Sequence, residues 1–390
     1  MPHTARIVPE PADPFDPAHF AGLRKPYDRA DTLPAWVYTS PAVYQRELER
    51  IFRRTWICLG HENQAAQPGD YFPFELAGVP LIIARDLEGK LHAFVNQCRH
   101  RGSRIVETRG HGRFLKCPYH AWAYAMDGSL AGTPLVEEDA GFAKADYPLL
   151  EVRLELWAGL MWVNLDADAP GLMDYLGDLP GRCAPWRPEE LVCTYRREYL
   201  VAANWKLYYE NFNESYHVPF VHQGSLNRQY VPGRALFSDD RVHGEYIAHF
   251  TRHKGSRGVM DGEQGFERMA WLPDKPEHEG TFYPSVNPTM MLGLTIDSAW
   301  VMELHPQAVD RTTLVFSMLF PRATVERPDF AAIAPKYYQR FDITLPEDVR
   351  AAELQHAGLR SPISAPGRFT AMEQLVLAFD RWWADRMVAN

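Results

Sequence analysis

The sequence predicts an α+β protein with an antiparallel β domain followed by a larger domain of sheet and helices. Three observations support this fold class. The chain has 390 residues, of which 46% are hydrophobic, so it can form a sizeable core. Short strand-like segments dominate residues 55–165, whereas strands and then helices dominate the later residues. A Pro/Gly/Asp-rich stretch at 166–191 separates the two patterns and is the best candidate for a domain boundary.

The N-terminal residues 1–54 are rich in Pro, Asp and Ala and are expected to form an arm and a helix that pack on the second domain. The helical segment is SPAVYQRELERIF, with Ser40 as a plausible N-cap. The segments YFPFEL, PLIIARD and LHAFV then read as strands, broken by tight turns at Ala77-Gly78 and Glu88-Gly89. We therefore expect residues 55–165 to form one antiparallel β domain.

Residues 166–390 are predicted to form the second domain. A short helix within 166–191 is followed by the strand TYRREYLVA and by a helix from Asn204 to Tyr216. The region from Gly224 to His278 is long and polar, so we expect mobile loops there, at the mouth of a pocket. Strands between Thr281 and Phe320 and then helices to the C-terminus complete the domain.

Charge and hydropathy exclude several classes of function. The formal net charge is -9, which lacks the basic surface that nucleic acid requires. The longest apolar stretch, Leu156 to Leu165, is too short to span a bilayer. The N-terminus shows no apolar signal segment, so a cytoplasmic location is expected, and the five cysteines are then expected to form no disulfides.

Two short motifs in the β domain each pair a cysteine with a histidine. Cys98-x-His100 is followed after 16 residues by Cys117-x-x-His120. Thiolate and imidazole ligands together suit zinc or an iron–sulfur centre. Structural zinc more often uses CxxC knuckles, whereas a Rieske [2Fe–2S] centre takes two Cys on one iron and two His on the other. The mixed pairs favour the Rieske centre over zinc.

A second group of candidate metal ligands lies in NWKLYYENFNESYHVPFVH. Glu210, Glu214 and His217 are spaced by four and three residues, which predicts that they share one face of a helix that ends at Pro219. His222 would return to the same place beyond this break. Two imidazoles with one carboxylate would form a facial triad for non-haem iron, although a single His among aromatic residues is more often a core residue.

These two motifs resemble those of one family. CRHRGSRI and CPYHAWAYAMDGSL resemble the Rieske domain of the non-haem iron aromatic-ring-hydroxylating oxygenases, and ENFNESYHVPFVH is similar to the mononuclear iron motif of the same family. The resemblance runs from about Ala35 to the C-terminus. The chain departs from the commonest pattern at Ala121 and Ala123, where Gly and Thr or Ser are more usual, but small side chains are kept.

The resemblance implies a role for each candidate residue. The cluster would be bound by Cys98, His100, Cys117 and His120, and the mononuclear iron by His217, His222 and Asp348. Asp348 lies in a C-terminal segment similar to a helical region of the family, and its neighbour Glu347 is the local alternative. Glu214 would be the carboxylate that carries electrons between subunits, from His120 of an adjacent chain to an iron-binding His of its own chain.

Most of the family has Asp where this chain has Glu214. The members with Glu resemble oxygenases of quaternary ammonium compounds such as glycine betaine, stachydrine and carnitine, so a substrate of this kind is favoured. Six aromatic residues could face such a cation, namely Tyr208, Tyr209, Phe212, Phe282, Tyr283 and Trp300. The alternative is hydroxylation, dihydroxylation or O-demethylation of an aromatic compound, which would use the same aromatic faces for ring stacking and an Arg to bind a carboxylate.

The resemblance also implies a fold, an assembly and partners. The fold would be a Rieske β domain followed by a helix-grip catalytic domain, assembled as a homotrimer, and some relatives add a small β subunit. No Gly-rich dinucleotide motif follows a strand, so NAD(P)H would be oxidised by a separate reductase, directly or through a ferredoxin. A Rieske electron carrier is a weaker alternative because it would not need His217, His222 and Asp348.

Overall fold

The computed structural model describes residues 7–139, 141–226 and 243–388. It divides the chain into two compact units, which we call the β unit and the sheet–helix unit. The β unit is Phe52–Pro170, and the sheet–helix unit combines Met1–Ile51 with Gly171–Asn390. The N-terminal arm thus groups with the C-terminal residues, and the unit boundaries lie near the boundaries at 54/55 and 165/166 that the sequence suggests.

The β unit contains two antiparallel sheets. Its strands are β1 Ile57–His61, β2 Asp70–Leu76, β3 Val79–Arg85, β4 Leu91–Val95, β5 Gly110–His111, β6 Phe114–Lys116, β7 Ala123–Ala125, β8 Leu130–Gly132, β9 Glu151–Trp157 and β10 Leu160–Asn164. Seven strands form one sheet in the order β1-β10-β9-β4-β3-β2-β5, and β6, β7 and β8 form the other. The turn between β2 and β3 uses positive φ at Ala77 and Gly78, as a tight hairpin requires.

The core of the β unit surrounds the two Cys–His motifs. Ile82 and Phe94 come from the large sheet, Leu115 and Tyr124 from the small sheet, and all four are at most 2% exposed. Cys98 and Cys117 belong to the same buried cluster. The two cysteine side chains are therefore held in a packed, apolar setting.

The sheet–helix unit is built around one six-stranded antiparallel sheet in the order β11-β16-β15-β14-β13-β12. Its strands are β11 Leu191–Val201, β12 Tyr246–Arg252, β13 Gly280–Val286, β14 Met290–Leu294, β15 Ala299–Ala308 and β16 Arg311–Pro321. Its helices are α1 Trp36–Thr39, α2 Pro41–Glu47, α3 Leu172–Leu176, α4 Leu179–Cys183, α5 Trp205–Phe212, α6 Val218–Val221, α7 Arg322–Val325, α8 Phe330–Leu359 and α9 Gln374–Val388.

Helix α5 lies at the centre of this unit, where it contacts α8, α9 and β15. Its residues Trp205 to Glu210 are all buried. Lys206 is fully buried and forms an ion pair of 2.5 Å with Glu47 of α2, which ties the N-terminal arm to α5. Ser40 caps α2 by accepting a hydrogen bond from the amide of Val43, as the sequence suggests. The described helices include none long and apolar enough to cross a membrane.

The expectation of one helix that carries Glu210, Glu214 and His217 on a single face and ends at Pro219 is wrong. The predicted helix from Asn204 to Tyr216 ends at Phe212, and His217 caps the separate helix α6, in which Pro219 occupies the first turn. Proline is tolerated there because a first-turn amide needs no intrahelical acceptor, so Pro219 begins a helix and does not end one. Of the region from Gly224 to His278, in which loops are expected, residues 227–242 lie outside the described residues, and the described part includes β12, an edge strand paired with β13.

Candidate active site and metal centres

The two Cys–His motifs lie on two loops of the β unit. Cys98 and Cys117 are 3% exposed and their side chains interact, whereas His100 and His120 are exposed, with ring centroids 4.7 Å apart. The motif residues thus form a buried pair of thiols and an exposed pair of imidazoles. This arrangement fits a [2Fe–2S] cluster whose inner iron binds sulfur and whose outer iron binds nitrogen.

The geometry argues against a single zinc ion at this place. Around a tetrahedral zinc the ligand atoms would lie about 3–4 Å from one another, given bond lengths near 2.0–2.3 Å. In the part of the chain that the structure describes, the one group of three or more potential ligands whose atoms lie within 4.8 Å of one another is His217, His222 and Asp348. The two Cys–His pairs do not converge in this way.

Backbone hydrogen bonds hold both loops. The amide of Cys98 donates to Ser103, and the amide of Cys117 donates to Trp122, each at 2.8 Å. The Tyr124 hydroxyl lies 3.3 Å from Cys98 Sγ, and burial raises the pKa of the Cys98 thiol. Ala121 has a φ of +57°, in the left-handed region that favours glycine. The family's usual glycine therefore has a physical reason, and this chain accepts some strain there.

The three candidate iron ligands converge in the sheet–helix unit. His222 Nε2 lies 3.0 Å and His217 Nε2 lies 3.5 Å from the same oxygen, Oδ1 of Asp348. His217 and His222 flank α6, and Asp348 lies on α8, so the long helix supplies the acid that the local motif lacks. Two imidazoles and one carboxylate fit mononuclear non-haem iron and leave coordination positions open.

Each imidazole is oriented by a second carboxylate. His217 Nδ1 lies 2.5 Å from Oε1 of Glu214, and His222 Nδ1 lies 2.7 Å from Oε2 of Glu347. Because the Nδ1 atoms are engaged in this way, both Nε2 atoms face Asp348. Carboxylates commonly fix metal-binding histidines like this. Glu347, the alternative ligand, lies on the far side of His222 from Asp348 and serves instead to position that ring.

The electrostatics of this group suit a cation. Burial disfavours the protonated form of His222, but the hydrogen bonds and charges of Asp348 and Glu347 outweigh burial, and the pKa of His222 is raised. The same negative potential would stabilise a bound divalent ion. Ser225 donates a 2.5 Å hydrogen bond to Glu347, which steadies this carboxylate.

A cavity of about 180 Å³ opens beside the triad. Its lining includes His217, Asp348 and Glu214, and residues of α5, α8 and the sheet form its walls. Of the six aromatic residues that the sequence suggests as a possible cage, Phe212, Tyr283 and Trp300 line it. Tyr208, Tyr209 and Phe282 are at most 4% exposed and belong to the core.

Backbone amides that follow Glu214 in the chain hold its side chain in place. One of its carboxylate oxygens accepts hydrogen bonds from the amides of Tyr216 and His217, and the other meets the His217 ring. The side chain is 12% exposed. Glu210, which the sequence places on the same helical face, instead points to the N-terminal arm and accepts a 2.9 Å hydrogen bond from the Tyr38 hydroxyl. The two acids therefore have different hydrogen-bond partners, although both line a second cavity beside the N-terminal arm.

Comparison with known proteins defines the class. Residues 188–389 match the ring hydroxylating alpha subunit (catalytic domain) family, and residues 55–148 match the Rieske [2Fe-2S] domain. The chain belongs to the ring-hydroxylating alpha subunit family of Rieske non-haem iron oxygenases. Its cofactors are a Rieske [2Fe–2S] cluster and a mononuclear iron, so the predicted class, fold and cofactors are confirmed.

Relatives of this chain differ in substrate. It is 29% identical to the carnitine monooxygenase oxygenase subunit of Escherichia coli (strain K12), over 85% of this chain and 84% of that protein. It is 27% identical to the glycine betaine monooxygenase oxygenase subunit of Pseudomonas aeruginosa (strain UCBPP-PA14), over 97% and 94%. It is also 36% identical to the biphenyl 2,3-dioxygenase subunit alpha of Rhodococcus jostii (strain RHA1), but over only 49% and 43%.

A solved structure supports the fold. A quaternary ammonium Rieske monooxygenase matches this chain with a TM-score of 0.79 and 23% identity, covering 98% of this chain and 100% of the other. The match covers residues of both units.

Sequence reasoning missed several residues of the site. Glu347 was considered only as an alternative ligand, although neighbouring helical residues point about 100° apart and cannot both face one ion. Arg340 and His249 also line the cavity. Arg340 could be found as the arginine on the α8 face that carries Phe341, Thr344 and Asp348, whereas His249 lies in β12, within a region where the sequence shows no motif.

Proposed function

We propose that this chain is a terminal oxygenase component that hydroxylates or oxidatively demethylates a small quaternary ammonium compound. It would use O2 and electrons from NAD(P)H that a separate reductase delivers, directly or through a ferredoxin. The observation that carries this proposal is the convergence of His217, His222 and Asp348 beside a cavity with aromatic walls. A Rieske electron carrier would need neither the triad nor the cavity.

We propose the following roles for the metal-binding residues. Cys98, His100, Cys117 and His120 hold the cluster, and His217, His222 and Asp348 hold the iron. When bound, the cluster supplies an electron and the iron activates dioxygen. The chain itself keeps both Nδ1 atoms engaged by Glu214 and Glu347, so that both Nε2 atoms stay available for the metal.

Glu214 is proposed to link the two centres across a homotrimer. Its carboxylate touches Nδ1 of His217, and it would meet His120 of an adjacent subunit. The backbone amides of Tyr216 and His217 hold it in place, which supports a fixed bridging geometry. His120 is exposed and so is available to a neighbouring subunit.

Two features support a quaternary ammonium substrate. Two relatives that align with most of this chain are named as oxygenases of carnitine and of glycine betaine. Phe212, Tyr283 and Trp300 present aromatic faces to the cavity, and such faces attract alkylammonium groups. The second candidate, an aromatic substrate, is favoured by the likeness to a biphenyl dioxygenase subunit and would stack on the same faces.

Oxygen consumption by the iron-loaded trimer with NADH and a generic reductase tests this proposal. Glycine betaine, carnitine and choline are compared with benzoate, biphenyl and phenol, and formaldehyde or hydroxylated product is measured beside oxygen uptake. We expect product from the ammonium compounds and none from Asp348→Ala. Product from the aromatic compounds alone would transfer the assignment to the second candidate, and oxygen uptake without any product would remove both.

A further inference from the structure

Arg340 is a buried cation in the wall of the active-site cavity. It lies on α8, is 6% exposed, and lines the cavity together with Phe341, Thr344 and Asp348 of the same helix. Asp348 follows eight residues later, which corresponds to about 12 Å along a helix axis. Arg340 thus marks a part of the cavity wall that is distinct from the iron ligands.

The guanidinium of Arg340 has no hydrogen-bond acceptor or carboxylate partner among the described residues, and its Nε atom is buried without a partner. Its guanidinium carbon lies 4.6 Å from the ring centre of Phe341 and 5.8 Å from that of Trp300, and Asp348 acts on it electrostatically without forming an ion pair. Burial lowers the pKa of Arg340 to about 10, so the side chain still carries its charge at neutral pH. Buried charges are normally paired, and an unpaired one is costly.

Lys206 shows how this fold treats a buried cation elsewhere. It is the other buried lysine or arginine in the described part of the chain, and it meets Glu47 at 2.5 Å. Glu47 in turn accepts hydrogen bonds from the indoles of Trp205 and Trp383. Arg340 has no comparable arrangement, and the space next to it is the cavity.

We propose that Arg340 binds a carboxylate of the substrate, so that the physiological substrate is a carboxylic acid. This assignment rests on the proposed function. It makes the substrate a betaine, which carries both a quaternary ammonium group and a carboxylate, and not an alcohol such as choline. An aromatic carboxylic acid would offer the same group to Arg340. Arginine presents several N–H donors in a plane that suits a carboxylate.

The other charges of the cavity agree with an anionic group on the substrate. Arg252 and Arg257 also line the cavity, although both have polar contacts of their own. His249 stacks on Tyr283 with centroids 4.7 Å apart, and burial lowers its pKa to about 3, so it adds no charge near neutral pH. The two carboxylates that line the cavity lie against the imidazoles, Glu214 at His217 and Asp348 at His217 and His222, which leaves Arg340 for a carboxylate of the substrate.

Two pairs of probes test this proposal. Glycine betaine and choline share a trimethylammonium group and differ in carboxylate against alcohol, and benzoate and benzyl alcohol differ in the same way. Binding to the iron-loaded protein is measured by the ligand-induced change in Tm and by isothermal titration calorimetry, and KM and kcat are measured where turnover occurs. The variants are Arg340→Gln, Arg340→Lys and the control Arg350→Gln, an exposed position on the same helix.

In at least one of the two pairs, we expect wild type and Arg350→Gln to bind the carboxylic acid more than 10-fold tighter than the corresponding alcohol. Arg340→Gln loses this preference, with KM raised about 10–100-fold and kcat changed much less, and Arg340→Lys recovers part of it. Circular dichroism and iron content verify that the variants fold.

Equal binding of acid and alcohol by the wild type, an unchanged preference in Arg340→Gln, or no binding of either acid would each overturn the proposal. Binding and turnover separate it from the proposed function. Carboxylate-selective binding without any product would retain the Arg340 site and remove the oxygenase assignment for these compounds. Turnover of choline as efficient as that of glycine betaine would retain the oxygenase and remove the Arg340 site.

Discussion

The β unit and the sheet–helix unit each bring metal-binding side chains together, but over very different lengths of chain. In the β unit the four candidate ligands lie between Cys98 and His120, on two loops fixed by their own backbone hydrogen bonds. In the sheet–helix unit, His217 and His222 come from one segment and Asp348 comes from α8. One site is built locally, and the other depends on tertiary packing.

This difference explains which ligands could be identified from the residues. Spacing and residue type were enough to favour a Rieske centre at the Cys–His pairs. For the iron site the same reasoning supplied no third ligand, and the family resemblance pointed to Asp348 with its neighbour Glu347 as the alternative. Only packing separates them, since it puts Glu347 on Nδ1 of His222 and Asp348 beside Nε2.

The largest expected effect breaks the iron site without touching the cluster. Asp348→Ala should lower the affinity for mononuclear iron more than about 100-fold, whereas Glu347→Ala should lower it about 10–100-fold, because Glu347 only orients His222. Iron analysis together with the visible absorbance of the cluster measures both variants, and the absorbance should stay in each. Equal iron content in wild type and Asp348→Ala would move the ligand assignment to Glu347.

The next effect concerns the proposed link between the two sites. Glu214→Ala should keep the cluster but bind mononuclear iron about 10–100-fold more weakly, as Glu347→Ala does, because it removes the partner of His217 Nδ1. After loading with excess iron, its turnover with reductase should still be reduced by about 10–100-fold or more, because the proposed bridge is lost. Metal analysis and product formation measure the two effects separately. Glu214→Asp is the conservative control and should retain more activity than Glu214→Ala.

Mixed trimers test whether this link crosses between subunits. A Glu214→Ala chain keeps its cluster but lacks the proposed bridge, and a Cys98→Ser chain keeps its iron and the bridge but lacks an intact cluster. Neither homotrimer should therefore form product. If electrons pass between neighbouring chains, mixing and reassembly of the two should restore part of the activity. Mixed trimers that remain as inactive as the parents would count against the inter-subunit bridge.

A smaller effect distinguishes Glu210 from Glu214 on the same segment. Burial raises the pKa of Glu210 to about 8, although the Tyr38 hydroxyl lowers it somewhat, so the folded protein holds this carboxyl protonated. The contribution of the protonated Glu210 carboxyl to the free energy of unfolding is complete below the unfolded pKa of about 4.5 and is lost as pH rises through about 8. Wild type should lose on the order of 1–3 kcal/mol over this window in urea unfolding, and Glu210→Gln should lose clearly less.

The smallest expected effect is at Ala121 in the cluster loop. Because its φ is +57°, Ala121→Gly should relieve strain and stabilise the β unit by about 0.5–1 kcal/mol, after the greater flexibility of glycine in the unfolded chain is subtracted. Thermal unfolding followed by cluster absorbance measures this gain, and Ala123→Gly, in strand β7, should destabilise instead. A loss of stability in Ala121→Gly would contradict the inference that the backbone at Ala121 is strained.

Much of the fold could be predicted from the sequence because hairpins and caps are local. The strands β2, β3 and β4 and the cap at Ser40 follow from alternation and from turn and cap residues. The break between α5 and α6 could not, because a proline such as Pro219 can end one helix or begin another. Strand β12 was missed because an edge strand between polar segments carries a weak pattern.

The cavity residues were the hardest to predict. Tyr208 and Tyr209 are aromatic like Phe212, yet they are buried in the core while Phe212 faces the cavity. The direction of each ring depends on how α5 packs against α8 and α9, which spacing alone does not reveal. Arg340 is identified only by its burial and by the absence of a carboxylate partner among the described residues.

A single-turnover experiment tests most directly the central claim, that the protein oxygenates its substrate with electrons from the Rieske clusters of the assembly. The iron-loaded protein is reduced, freed of reductant and mixed with O2 and glycine betaine in the absence of reductase, and product and cluster absorbance are followed together. We predict rapid oxidation of the cluster and formation of product in wild type, and neither at that rate in Glu214→Ala. Cluster oxidation at one rate with and without substrate, and no product, would contradict the account.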